Sequence, residues 1–181
     1  MAFNVNTFRG ELKQGGARPS LFEIQLFAPQ GGTLNGGDLI SKSPFMVRAG
    51  QIPQSSLGTV IVPYFGRQVK LAGNRTFDDW TVTIMNDEDF KLRNALENWS
   101  HKINNHSGNL NEYGTNPARY KAQALVKQYS KEGGVIQTYQ FDGLYPVNIS
   151  PIDLAWEAEA IEEFSVTFAY DWWEHGEAAA R

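Results

Sequence analysis

The stretch GNRTFDDWTVTIMNDEDFKLRNALENWSHKI, from Gly73 to Ile103, constrains the fold of this chain more than any other. Thr81–Met85 alternates β-branched and apolar residues beside Trp80, the period of a half-buried strand. Trp80, Val82 and Ile84 fall on one face, and Thr81, Thr83 and Met85 on the other. Asn86 offers an N-cap oxygen, and Asp87, Glu88 and Asp89 crowd the positive end of a helix that follows. Within that helix Leu92, Leu96, Trp99 and Ile103 recur at spacings of four, three and four, which makes one apolar stripe. No other convincing helix is visible. The sequence predicts a single helix laid by its Leu/Trp stripe over strand-rich neighbours.

The remainder supplies those strands. Leu21–Phe27 sets Phe22, Ile24 and Leu26 against Glu23 and Gln25. Pro29 to Pro44 reads as a Gly-rich loop, followed by a short strand over Phe45–Ala49. After the helix, Asn104–Pro117 is an Asn/Gly-rich loop and Ala118–Ser130 a long strand, turned by Glu132-Gly133-Gly134 into Val135–Asp142. Leu144–Ile149 and Asp153–Trp156 read as short strands punctuated by Pro146 and Pro151. Phe164, Val166, Phe168, Tyr170 and Trp172 then line one face of a last strand. Residues 1–18, broken by Gly10, Gly15 and Gly16, read as an arm that orders only against something else. Residues 175–181 read as a flexible tail. The expected organisation is one domain over 1–181, with no internal repeat.

Thr59–Ala72 is the least ordinary segment. Val60, Ile61 and Val62 are apolar on both faces of one strand, Phe65-Gly66 is a turn, and Gln68–Leu71 alternates on the return. A lone two-stranded ribbon is marginal and leaves an exposed edge, so its apolar faces need cover. Either residues 55–72 fold back onto their own barrel, or they project and dock on another subunit.

Composition narrows the function. Of 181 residues, 41% are hydrophobic and 20% charged, which excludes a disordered chain and leaves room for a sizeable core. No apolar run approaches the roughly 20 residues of a membrane-spanning helix. The start MAFNVNTFRGEL lacks the basic and apolar regions of a secretory signal. With no cysteine there are no disulfides or thiolate metal sites, which fits assembly in cytoplasm. The formal charge of −4 argues against a monomer built to grip nucleic acid.

No active site is legible. His101, His106 and His175 show no ligand-like grouping, and adjacent residues Asp78 and Asp79 would point to opposite faces of a strand. Gly31-Gly32 and Gly36-Gly37 lack the Lys-Ser/Thr of a phosphate loop. One basic face, Arg119, Lys121 and Lys127 with Tyr120 and Tyr129 offset by one, has the look of a single-strand binder. Glu157, Glu159, Glu162 and Glu163 oppose it. A solvated strand with its tyrosines in the core accounts for it better. What remains is surplus strand edge and unpaired apolar surface, hazards for a monomer and assets for a self-assembling chain.

Ala72 to Asp87, AGNRTFDDWTVTIMND, resembles the signature segment of the T4-type tail tube proteins of contractile-tailed phages. Further segments match in order: Ala17–Phe22, Tyr120-Lys121 with Val126–Tyr129, Gly143–Asn148 and Ala169–Glu174. The likeness spans about Arg18 to Glu174. It implies a mainly β fold, an antiparallel β-barrel or sandwich with one flanking α-helix, a projecting β-hairpin and an N-terminal arm. It implies signature positions at Gly73, Arg75, Phe77, Asp78, Asp79, Trp80, Asn86 and Asp87, and core packing by Trp80, Leu92, Leu96, Trp99 and Ile103. Inter-ring stacking would fall to Thr59, Val60, Ile61, Val62, Tyr64, Phe65 and Arg67. The same likeness implies a structural virion protein with no enzymatic activity and no cofactor. Its subunits would form homohexameric rings stacked helically into a conduit through which genome DNA passes unbound. Its partners would be a tail sheath protein, a tape-measure protein, and baseplate hub and tail terminator proteins, with no membrane. The family is structurally related to the tubes of type VI secretion and of R-type pyocins, so a tailocin-like injection particle is the alternative. Loops 29–43 and 104–117 look longer than the family minimum.

Overall fold

One strand is longer than any other among the described residues, and three others pair along it. In the computed structural model, which describes residues 4–12, 16–31 and 36–176, that strand is β7 (Val135–Ile149). Gly143, at φ +72°, bends it in the middle, and a Cβ there would overlap the Asp171 carboxylate. Before the bend β7 pairs with β6 (Ala122–Tyr129) on one side and β9 (Trp172–Gly176) on the other. After the bend it pairs with β8 (Glu163–Ala169). One antiparallel sheet thereby curls round: β1 (Phe22–Leu26), β6, β7, β8, β5 (Trp80–Met85), β2 (Val47–Ala49). This is the expected barrel, nearly closed.

Residues 36–46, in the chain between β1 and β2, pack against both of these edge strands. They form α2 (Gly36–Met46), where the sequence suggested a loop and then a strand from Phe45. Glycines and Pro44 hide this helix from a propensity reading. Tertiary contact decides it: Leu39 and Ser43 are buried, and the Ser43 hydroxyl accepts the amide of Leu26 at 2.9 Å. An edge-strand donor is thus satisfied from a helix. A second helix, α1 (Val5–Glu11), stands in the arm with Asn4 as its N-cap; Gly10 does not prevent it. None of its residues is buried.

The expected stripe is the core. Trp80, Val82 and Ile84 of β5 face inward with Phe164, Val166 and Phe168 of β8, and against them packs α3 (Lys91–Ile103) through Leu92, Leu96 and Trp99. Ile103 lies at the margin of this core. The indole of Trp99 is wholly buried, and its Nε1 donates to the carbonyl of Tyr120 at 2.8 Å. The other face of β5 carries Thr81 and Thr83, whose hydroxyls meet Thr167 and Ser165.

Several expected details change. Asn86 does not cap α3. Its backbone and side-chain N–H groups bind Glu162 at 2.8 and 2.9 Å, and α3 begins five residues later. Phe90 holds the cap position in a left-handed conformation, and the Asp89 carboxylate accepts the amide of Lys91. Asp89 also takes a hydrogen bond from Lys42 of α2; this bond, and then the Lys91 amide, hold its carboxyl down at about 2. Residues 117–119 form a single 3₁₀ turn, so β6 starts later than expected. Val135–Asp142 and Leu144–Ile149 are one strand, because the bend at Gly143 keeps it in the sheet. Asp153–Trp156 is loop, with no strand beside it to complete a ladder. The final run divides at Tyr170-Asp171, opposite the bend in β7, where the amide of Asp171 still binds the carbonyl of Asp142 at 3.0 Å. The end of the expected tail, 177–181, lies outside the described residues, as do 1–3, 13–15 and 32–35.

Replacing Trp99 by Ala removes the centre of the helix–sheet contact and leaves the Tyr120 carbonyl unpaired. Denaturant unfolding of the monomer should show a loss of about 3–5 kcal/mol. Unchanged stability would mean that α3 does not hold the barrel.

Candidate assembly surface

Residues 56–76 leave the barrel altogether. β3 (Ser56–Tyr64) and β4 (Arg67–Thr76) pair only with each other. Every residue of β3 is exposed, and so are Val69 and Leu71 of β4. The ribbon projects; it does not fold back on its own sheet. Its tip is a two-residue turn, with Phe65 at φ 42° and Gly66 at φ 77°, the backbone that suits the twist of a hairpin. Glycine or asparagine would serve the first of these positions better than an aromatic residue. Phe65 is 91% exposed and touches Tyr64 edge-on at 4.6 Å. Neither turn chemistry nor packing within the chain explains a phenylalanine there.

Thr59, Val60, Ile61, Val62, Tyr64, Phe65 and Arg67 are therefore brought together on the outer half of one ribbon. Nearer the barrel the register slips between Leu57 and Thr59, and Gly58 lies against Gly73. A Cβ on Gly73 would meet the Gly58 backbone at 3.0 Å, tighter than an ordinary contact, so the close approach of the two strands suits residues without side chains.

The signature positions from Arg75 to Trp80 lie at the root. Arg75 donates to the Ser55 hydroxyl at 2.8 Å, Phe77 leans on Tyr170, and Asp78 accepts from Gln54. Trp80 donates to the carbonyl of Gln51 at 2.8 Å, and Trp173 donates to that of Gln54 at 3.1 Å. Asp78 and Asp79 lie on the link between β4 and β5, not on a strand, and both line a 130 Å³ cleft with Gln51–Gln54, Trp80 and Tyr170. Burial, and then the charges of these two aspartates, push the Tyr170 hydroxyl up. Asp78 is spent on a hydrogen bond, as expected of loop polarity. A larger apolar groove opens beside the cleft and shares Gln51 and Ile52 with it; Phe22, Ile24, Val126 and Tyr139 form its floor. Asn86 and Asp87 sit at the opposite end of β5, where Asn86 holds Glu162 and Asp87 accepts from Lys42 at 3.0 Å.

Two apolar surfaces escaped the sequence reading. Leu154, Trp156 and Ile161 stand out from the loop joining β7 to β8, with Trp156 fully exposed. The visible signal was an apolar run interleaved with acids and free of turn residues after Pro151. On α1 and its C-cap, Val5, Phe8 and Leu12 form a second exposed stripe.

The side chains of the competing sites are engaged within the fold. The basic face is neutralised: Lys121 pairs with Asp171 at 2.6 Å and Lys127 with Glu23 at 3.2 Å. Arg119 turns away in its 3₁₀ turn and donates to the Gly31 carbonyl. Tyr120 packs edge-on against Tyr145, and Tyr129 gives its hydroxyl to Glu23 at 2.7 Å. His101 and His106, apart in the sequence reading, meet at 3.2 Å through their Nδ1 atoms. His175 lies in β9 against Tyr139 and Trp173, not in a tail. Among the described residues no three His, Cys, Asp or Glu side chains gather as metal ligands.

What the chain offers is a scaffold with outward apolar projections, the anatomy of a subunit made for assembly. Comparison with known proteins specifies the kind. The model of the phage tail tube protein family matches residues 17–175. Tail tube protein gp19 of Enterobacteria phage T4 is 34% identical over 161 residues, which covers 87% of this chain and 91% of that one. The tail tube protein of Serratia phage KSP90 is 24% identical over 169 residues, covering 92% and 93%. The fold is shared with the tube-terminating cap of the anti-feeding prophage (TM-score 0.65, 13% identity, 90% and 91% covered). It is shared too with a sheath/tube terminator structure of an extracellular contractile injection system (TM-score 0.62, 12% identity, 87% and 94% covered). The chain belongs to the phage tail tube protein family. It is a structural component of a contractile phage tail, not an enzyme.

Tyr129 provides a check on the neutralised face. Burial, then the hydrogen bond to Glu23, push its hydroxyl up to about 12. The stabilisation this reflects is present below the ordinary tyrosine value near 10 and is lost as pH rises from there through about 12. Ultraviolet titration should show one late-ionising tyrosine that is missing from Tyr129→Phe; an unchanged titration curve would break the Tyr129–Glu23 contact.

Proposed function

We propose that six copies of this chain close into a ring, that rings stack helically, and that the resulting tube conducts genome DNA. The single observation that carries the stacking is the hairpin, apolar on both faces and without cover in its own chain. A head-to-tail contact that does not close runs on as a filament, and a ribbon reaching into the next ring is such a contact. Barrel sheets side by side would form the ring. The exposed stripe of α1 supplies a further surface for a neighbouring copy. Thr59, Val60, Ile61, Val62, Tyr64, Phe65 and Arg67 are assigned to the inter-ring contact.

The conduit works by not binding. A charge of −4 on each chain, repeated around a ring, repels phosphate, so that DNA slides under pressure. A sheath outside, a tape-measure protein inside during assembly, and baseplate hub and terminator proteins at the ends complete the tail. A sheath–tube complex of an extracellular contractile injection system shares this fold, which supports the place of the sheath. A genome-free injection particle built on the same tube is the second reading, favoured by the same likeness.

Two outcomes test the proposal. Replacing Val60–Leu71 with Asn-Gly joins the paired residues Thr59 and Ala72 by a two-residue turn. The variant should melt like the parent but form no long tubes by negative-stain microscopy, whereas normal tubes would remove the stacking role. An electron-microscopy map of the parent tube should show a lumen lined mainly by acidic and neutral side chains. A lumen dominated by Lys and Arg would end the sliding argument.

A further inference from the structure

Two of the surfaces that lack cover, the hairpin and the loop 151–162, lie at opposite ends of one strand and carry opposite charge. The hairpin springs from the Trp80 end of β5. The loop 151–162 leaves β7 and enters β8 at the Met85 end, where Met85 pairs with Glu163 and Asn86 binds Glu162. The six residues of β5 separate the two by about 17 Å. Between Ser56 and Thr76 there are Arg67, Lys70 and Arg75 and no acid; between Pro151 and Glu162 there are Asp153, Glu157, Glu159 and Glu162 and no base. Both segments also expose large apolar side chains, Val60, Ile61 and Phe65 on the one and Leu154, Trp156 and Ile161 on the other.

Among the described residues Arg67, Lys70, Asp153, Glu157 and Glu159 take part in no ion pair. The strands of the hairpin pair only with each other, and among the described residues no ion pair joins them to the loop at the far end of the barrel. Turning a second copy round so that like ends meet would set basic ribbon against basic ribbon. Copies placed end to end in the same direction bring the basic, apolar ribbon onto the acidic, apolar loop, and leave a free ribbon and a free loop at the two ends of the stack.

We propose that the loop 151–162 is the seat on which the hairpin of the next copy along the tube docks, with Trp156 as its apolar centre and Glu157 and Glu159 facing Arg67 and Lys70. Asn86 positions the seat through Glu162, as Gly73–Trp80 position the hairpin. This rests on the stacking role of the hairpin, and adds the surface that receives it.

Charge reversal on both sides separates the two ideas. Glu157→Lys with Glu159→Lys, and Arg67→Glu with Lys70→Glu, should each raise the protein concentration needed for tubes by about tenfold or more, with unchanged monomer melting. The four substitutions together should restore assembly towards the parent level. Loop reversal with normal assembly, or four substitutions no better than two, would overturn the docking. If trimming the hairpin abolishes tubes while loop reversal leaves them intact, stacking stands and only the seat is wrong; if neither matters, both fall. Because the chain has no cysteine, Phe65→Cys with Trp156→Cys gives a second readout. A short bismaleimide should link the assembled double variant into a ladder running beyond the dimer, and each single variant should give none. No ladder from intact tubes would also overturn the proposal.

Discussion

The indole of Trp80 is where the interior of this molecule is joined to what lies outside it. Its ring stacks on Phe141 at 4.3 Å, inside the barrel, and its Nε1 reaches the carbonyl of Gln51, just before the hairpin. A buried aromatic residue contributes both a large apolar surface and one directional bond. Here the first fixes β5 in the core and the second fixes the chain that feeds the ribbon. A ribbon with no cover of its own holds a defined direction only if its root is rigid. Arg75, Phe77, Asp78 and Trp173 reinforce that root with contacts around the same point.

The signature segment consequently serves two ends of one strand. Gly73 to Trp80 build the hairpin root, and Asn86 holds the loop that precedes β8. Between them Val82 and Ile84 are core. Rigid transfer of position along a short strand relates the two exposed surfaces, and a regular polymer needs that relation to be fixed. The bend of β7 at Gly143 plays the matching part for the barrel, since it lets one strand belong to both halves of the curled sheet.

Much of this was legible because period and burial coincide. The Trp80/Val82/Ile84 face and the Leu92/Leu96/Trp99 stripe follow directly from spacing, and the two-faced apolar run of Val60–Val62 marks the ribbon. The misreadings share a cause. Helix α2 contains glycine and proline and forms because Leu39 and Ser43 find places against β1, which local propensity does not register. Asn86 has the right chemistry for a cap but is drawn to Glu162, distant by 76 residues. The acids of 87–89 do gather before α3, two of them, Asp87 and Asp89, tied to Lys42 of another helix. His101 and His106 are joined by the turn of a loop, and sequence distance conceals such a meeting.

The sequence by itself determined the β-rich class, the dominant helix, the ribbon and the family, since each rests on local pattern or on collinear likeness. Only the tertiary structure decided that the ribbon stands clear of the barrel, that α2 packs against both β1 and β2, and that the basic face of β6 is paired off. It also decided that the acidic loop lies at the far end of β5 from the hairpin. Charge and hydrophobicity can be counted along a chain, but whether two such segments meet or oppose each other depends on the direction in which strands pair, which is settled by long-range contacts.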